Sequence, residues 1–287
     1  MAYVKPYTRI KTKQTKFTQN REINAITERL YLQTYRRPSN ALIHLIQPLL
    51  WLILFGALFQ NAPINLFGIN NLNIKYKEFL HPGIIIFTAF NSAINSGLPI
   101  MFDREFGFLN RILVSPIINK KSLVYSCIIY TYTITYLQIF IILIFNIYEV
   151  KHMPTLNELT TIIIATILVI TNIASLSIFN AFVLPGHIEF IALTTLFINL
   201  PTLFASTALA PLSFMPHWLQ VIACINPLTY AVEIIRQSKI HQVISLKTAI
   251  INTVWFKIEM KESIAILIIL NLISLILVNK IIKYKYD

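Results

Sequence analysis

Six stretches of mostly apolar residues recur along the chain, at 41–59, 82–101, 122–147, 159–184, 188–210 and 263–282, with polar or basic segments between them. Each approaches the roughly 20 apolar residues that a helix needs to cross the hydrocarbon core of a bilayer. The second is interrupted by Asn91, Ser92, Asn95 and Ser96, the fifth contains Pro201, and the sixth is the cleanest. The pattern predicts an all-α integral membrane protein with six transmembrane helices, in a single domain over 1–287.

Three other segments carry a pattern of their own. After a basic, Thr-rich tail at 1–20, Ile23, Ile26, Leu30 and Thr34 recur at helical spacing within 21–37. Charges flank them, so a helix lying in the membrane interface is expected. Between the second and third stretches, Phe108, Leu109, Ile112 and Leu113 form a short apolar face, opened by Gly107 and closed by Pro116. Between the fifth and sixth, 218–225 is apolar but too short to span. Asn226 is placed to cap a following helix that has Pro227 at its first position. This pair predicts a re-entrant helical hairpin, which is tolerated at membrane depth only where its backbone is buried in protein or lines a cavity.

Lys and Arg set the orientation. There are nine in 1–40, four in 102–121 and two in 283–287, against two in 60–81, one in 148–158 and five spread over 211–262. The excess places both termini and the 102–121 segment on the cytosolic or stromal side.

Composition agrees. Hydrophobic residues make up 56% of the chain and charged residues 13%, about half the charge of a soluble domain. The net charge of +12 would suggest nucleic acid in a soluble protein. Here the basic residues flank apolar runs, so no nucleic-acid partner is expected. Cys127 and Cys224 form no disulfide framework. An abundance of Ile, Asn, Lys and Tyr fits an AT-rich genome such as that of a plastid.

Candidate chemistry is sparse. None of Gly56, Gly68, Gly83, Gly97, Gly107 and Gly186 precedes a Lys. A phosphate-binding loop of the G-x-x-x-x-G-K type is therefore impossible. The six histidines are dispersed, and no metal site is expected. The stretches hold almost no ionisable residues beyond His44 and Glu189 at their edges, which disfavours an ion-driven carrier. The chain is not expected to be an enzyme by itself.

Three segments resemble the ABC-2 type transporter permeases. Residues 36–59, RRPSNALIHLIQPLLWLILFGALF, resemble the entry to that family's first span, with Gln47, Pro48 and Gly56 in place. Residues 104–117, REFGFLNRILVSPI, resemble its cytosolic coupling segment, matching at Arg104, Glu105, Gly107, Leu109, Leu113, Ser115 and Pro116. Asn110 stands where the family often has an acid, and Ile112 replaces Leu. Residues 214–237, FMPHWLQVIACINPLTYAVEIIRQ, resemble its re-entrant segment at Pro216, Trp218, Asn226, Pro227, Tyr230 and Arg236.

The resemblance implies the permease subunit of an exporter. A second permease subunit, either another copy in a homodimer or a relative, and ABC ATPase subunits would complete it. ATP and Mg would bind to the ATPase, and this chain would bind no cofactor. Arg104, Glu105, Gly107, Leu109, Arg111, Ile112, Leu113 and Pro116 would couple the spans to the ATPase, with Glu105 and Arg111 at the rim. The composition is closest to plastid-encoded red algal members and their cyanobacterial relatives, so a plastid membrane or a bacterial inner membrane is expected. The alternative is a structural or cofactor-carrying subunit of a membrane electron-transfer complex. His44, His81 and His217 fall at stretch ends rather than in facing mid-span pairs, which weighs against it.

Overall fold

A computed structural model describes residues 16–59, 76–114, 121–150, 153–184, 197–240, 249–252 and 257–286. Helices α1 (Lys16–Arg36) and α2 (Pro38–Leu58) come first. They are followed by α3 (Tyr76–Ile94), α4 (Leu98–Glu105) and α5 (Phe108–Val114). Then come α6 (Lys121–Val150), α7 (Leu156–Val183) and α8 (197–204). Helices α9 (His217–Ile225), α10 (Pro227–Ile240) and α11 (Met260–Tyr286) complete the bundle. The all-α expectation needs one correction. Strands β1 (Ala249–Asn252) and β2 (Lys257–Glu259) pair antiparallel between α10 and α11. Ile251, fully buried, anchors that pair.

Among the described residues, four helical segments are long and apolar enough to cross a membrane: Tyr76–Glu105, Lys121–Glu149, Leu156–Val183 and Met260–Ile282. A fifth is added if α9 and α10, which meet at 86°, count as one. The first expected stretch is shorter than these, with its apolar helical part at Leu42–Leu58. The stretch expected at 188–210 begins outside the described residues and enters as α8.

Contacts fix the helix directions. Ser96 Oγ donates to the Ala174 carbonyl (3.2 Å) and Arg104 to that of Ala181 (2.8 Å), so α3–α4 and α7 run the same way. Thr135 Oγ1 donates to Ser92 Oγ (2.8 Å) and Lys77 pairs with Glu149 (2.5 Å), so α6 runs opposite to α3. Gln47 accepts from Asn91 (3.2 Å), while Phe59 meets Tyr76, so α2 also opposes α3. One end of the bundle therefore gathers α1, α4, α5, the start of α6 and the end of α7. Among the described residues most of the basic ones lie here, and it is called the basic end below. Tyr76, Glu149, the start of α7 and the α9–α10 hairpin lie at the far end.

The expected second span is two helices. α3 stops at Ile94 and α4 begins at Leu98, so polar residues interrupt the helix as they interrupt the sequence pattern. A broken helix at membrane depth needs its freed backbone groups satisfied. Ser177 on α7 does this: its hydroxyl donates to the Ile94 carbonyl (2.6 Å) and accepts from the Gly97 N–H (3.1 Å). Gly97 permits that approach, because a Cβ there would lie 2.6 Å from the Ser177 carbonyl oxygen.

The N-terminal helix starts at Lys16, inside the segment expected as tail, and it packs on α6. Ser126 Oγ donates to the Ile23 carbonyl (3.2 Å), Ser122 Oγ to Glu22 (3.1 Å), and Thr34 bonds Tyr130. Small hydroxyl residues on α6 let the two helices approach closely.

Candidate functional site

The segment expected to couple the chain to a partner is a helix–turn–helix at the basic end. Arg104 and Glu105 end α4, Gly107 makes the turn, and Leu109, Arg111, Ile112 and Leu113 belong to α5. Pro116 lies outside the described residues. Gly107 adopts φ 70°, a left-handed conformation that closes a helix with little strain only for glycine.

Two arginines fix this turn to the bundle. Arg104 donates to the carbonyls of Ala181 (2.8 Å), Phe182 (3.3 Å) and Leu184, which are among the groups that α7 leaves unpaired at its C-terminus. A cation there also opposes the negative end of the helix dipole. Arg29 of α1 pairs with the buried Asp103 of α4 and lies over the Phe108 ring, 5.0 Å from its centroid. Sequence reasoning missed this second link. The signal was present: Asp103 is an acid at the edge of an apolar run, where a carboxylate needs a cation.

The apolar face expected for a partner is turned partly inward. Leu109 is 2% exposed, and Ile112 packs against the core. α4 and α5 fold against each other across the Gly107 turn, and that brings Leu109 onto the bundle. The exposed surface includes Glu105, Phe106, Phe108, Asn110 and Arg111, with Phe106 76% exposed.

The second predicted segment lies at the far end. Pro216 precedes α9, whose Trp218 and Ile225 face outward, whereas α10 is buried along most of its length. Asn226 holds the bend between them. Its Oδ1 accepts from the Leu228 N–H (3.0 Å) as a helix cap, and its Nδ2 donates to the carbonyls of Thr202 and Ala205 (2.8 Å each). Pro227 opens α10, where its missing N–H costs nothing. Tyr230 donates back to the Cys224 carbonyl. Arg236 is buried, pairs with Glu233, donates to the Thr207 carbonyl (2.9 Å) and stacks over Phe79 at 3.7 Å from the ring centroid. The two predicted segments therefore sit at opposite ends of the bundle and form no common site.

Among the described residues no group of three His, Cys, Asp or Glu could hold a metal ion. His44 faces the basic end and His81 the far end.

The sequence profile of the ABC-2 type transporter family matches residues 21–240, and the chain belongs to that family. Permeases of this family usually work with an ABC ATPase. Proteins named "Putative transport permease ycf38" are similar along most of their length. That of Porphyra purpurea is 44% identical over 266 residues, covering 93% of this chain and 90% of its own. That of Cyanophora paradoxa is 44% identical over 269 residues, covering 94% and 91%. That of Pyropia yezoensis is 46% identical over 267 residues, covering 93% and 90%. The chain is a multi-pass membrane transport permease, and the plastid origin of these relatives supports a plastid membrane as its location.

Proposed function

We propose that this chain is the membrane-spanning subunit of an exporter driven by separate ATPase subunits, assembled around two permease copies, with ATP and Mg held by the ATPase. The observation that carries the reading is the exposed turn Glu105–Arg111, anchored through Arg104 to α7 and through Asp103 to α1. A push on such a turn moves three helices together instead of bending a loop. The exposed Phe106 is a suitable anchor for a partner's pocket, and Arg111 can set register at the rim.

The directions of the helices support six crossings. α2 runs from the basic end to the far end, α3–α4 return, α6 goes out and α7 returns. Residues 197–210 head outward again, with Asn199 bonded to Asn91 (2.9 Å) and the Leu209 carbonyl to Tyr76 (3.0 Å). α11 then returns from the β-pair. Helix α1 and the last turns of α11 share the basic end, which the positive-inside rule assigns to the cytosol or stroma. The outward apolar side chains of α2, including Leu50, Leu54 and Leu58, suit lipid or the second copy.

The test is ATP hydrolysis. The purified chain should hydrolyse no ATP, since it has no phosphate-binding loop. Its complex with the ATPase should hydrolyse ATP. Phe106→Ala combined with Arg111→Glu should weaken assembly by about tenfold or more, the scale of a lost interface anchor, while the chain folds normally. Hydrolysis by the chain alone, or an unaltered complex with the double variant, would contradict the reading.

A further inference from the structure

We propose that a cavity at the basic end binds an anionic amphiphile, a molecule with one anionic head and an apolar body. The cavity, of about 680 Å³, lies between α1, α2, α3–α4 and α6. That volume is within the range of small-molecule sites. It lies inside one copy of the chain, and the proposal does not rest on ATP-driven export.

One wall is cationic. Arg29, Gln33 and Arg36 line it from one face of α1, and Arg37 from the residue between α1 and α2. Asp103 neutralises Arg29. Arg36 and Arg37 are exposed and have no carboxylate in ion-pair reach among the described residues, so the wall keeps surplus positive charge. The opposing wall is apolar. Leu98, Phe102 and Phe106 recur every fourth residue, and the two Phe rings stack at 6.4 Å. Phe102 is 41% exposed, a large aromatic surface left uncovered.

Unmet hydrogen bonds point the same way. Nε of Arg29 and Nδ1 of His44 are buried and have no partner in the chain, although both residues line the cavity. Buried polar atoms in native proteins are normally satisfied. An anionic oxygen would meet the Arg29 N–H, and its charge would be held by Arg36 and Arg37. An apolar body would cover Leu98 and Phe102. A free inorganic anion would leave the aromatic wall bare, and a neutral lipid would leave the arginines unmatched.

The source of such a molecule is the membrane leaflet or the exporter's cargo, and both share this chemistry. The probe is dodecyl phosphate bearing a diazirine near the end of its chain, added to the full-length protein in neutral maltoside micelles. Photolabelling should map to α1, α4 and the first half of α6. Unlabelled dodecyl phosphate should compete, while inorganic phosphate and added maltoside should not. Arg36→Gln with Arg37→Gln, both at exposed positions, should cut labelling by about tenfold at low salt. Gln33→Trp, which fills the cavity and leaves every charge in place, should also cut it. Labelling confined to other helices, competition by phosphate or maltoside, or equal labelling of both variants would overturn the proposal. To separate the sources, the lipid that co-purifies with the chain from membranes is exchanged against labelled phosphatidylglycerol in nanodiscs. Exchange at the same peptides assigns the site to the leaflet. Retained dodecyl phosphate binding without that exchange assigns it to cargo. Loss of both signals contradicts the site.

Discussion

Arg236 shows what a single residue contributes at the far end. It is buried, and its charge is met by Glu233 three residues earlier. The same guanidinium stacks on Phe79 of α3 and bonds the Thr207 carbonyl. It therefore ties α10, α3 and the segment after α8 together. Removing one member of a buried pair strands the other. Arg236→Leu should destabilise the protein by about 3–5 kcal/mol in reversible unfolding from mixed micelles. Glu233→Leu added to it should restore part of that loss, because no lone charge then remains buried. An Arg236→Leu protein as stable as the natural one would remove Arg236 from this role. The sequence marks Arg236 only through the family resemblance. Its partners Phe79 and Thr207 lie 157 and 29 positions away, and no local pattern points to them.

At the scale of elements, the apolar pattern located most helices because each must present some 20 apolar residues to lipid. What it could not read is where helices are cut or joined by tertiary contact. The Asn and Ser residues at 91–96 signal a weak second span. The break between α3 and α4 is stable because Ser177, some eighty positions later, supplies the bonds that the backbone lost. Likewise Ile23 to Thr34 show an amphipathic helix, but its docking on α6 depends on Ser122 and Ser126. The β1–β2 pair was hidden because four- and three-residue strands carry too little alternation to detect. Close approach has a direct test at Gly83 in α3. A Cβ there would lie 2.2 Å from the Ala208 carbonyl oxygen, a backbone atom that cannot swing aside. Gly83→Ala should therefore cost about 1–3 kcal/mol by overpacking, despite the better helix propensity of Ala. Thermal unfolding in detergent reads this as a lower transition temperature, and an unchanged or raised one would mean that α3 and residue 208 are not in contact.

For the molecule as a whole, charge asymmetry and helix direction make one consistent arrangement. Most of the described basic residues gather at the end where Arg104 and Arg29 hold the α4–α5 turn, and the hairpin bent at Asn226 closes the other end. The sequence made the existence of both segments legible through their Gly, Pro and Asn positions, since those residues set backbone conformation locally. It did not reveal that Leu109 turns inward, which depends on how α5 folds against the bundle, so the surface open to a partner is Phe106 and its neighbours. On the function proposed, this end engages an ATPase. The most direct measurement is site-specific photocrosslinking in the native membrane, with benzoylphenylalanine at Phe106 in one variant and at Trp218 in another, both exposed positions. An ATP-binding subunit should crosslink at 106 and none at 218. An ATP-binding subunit captured at 218, or none at 106 while the complex is intact, would contradict it.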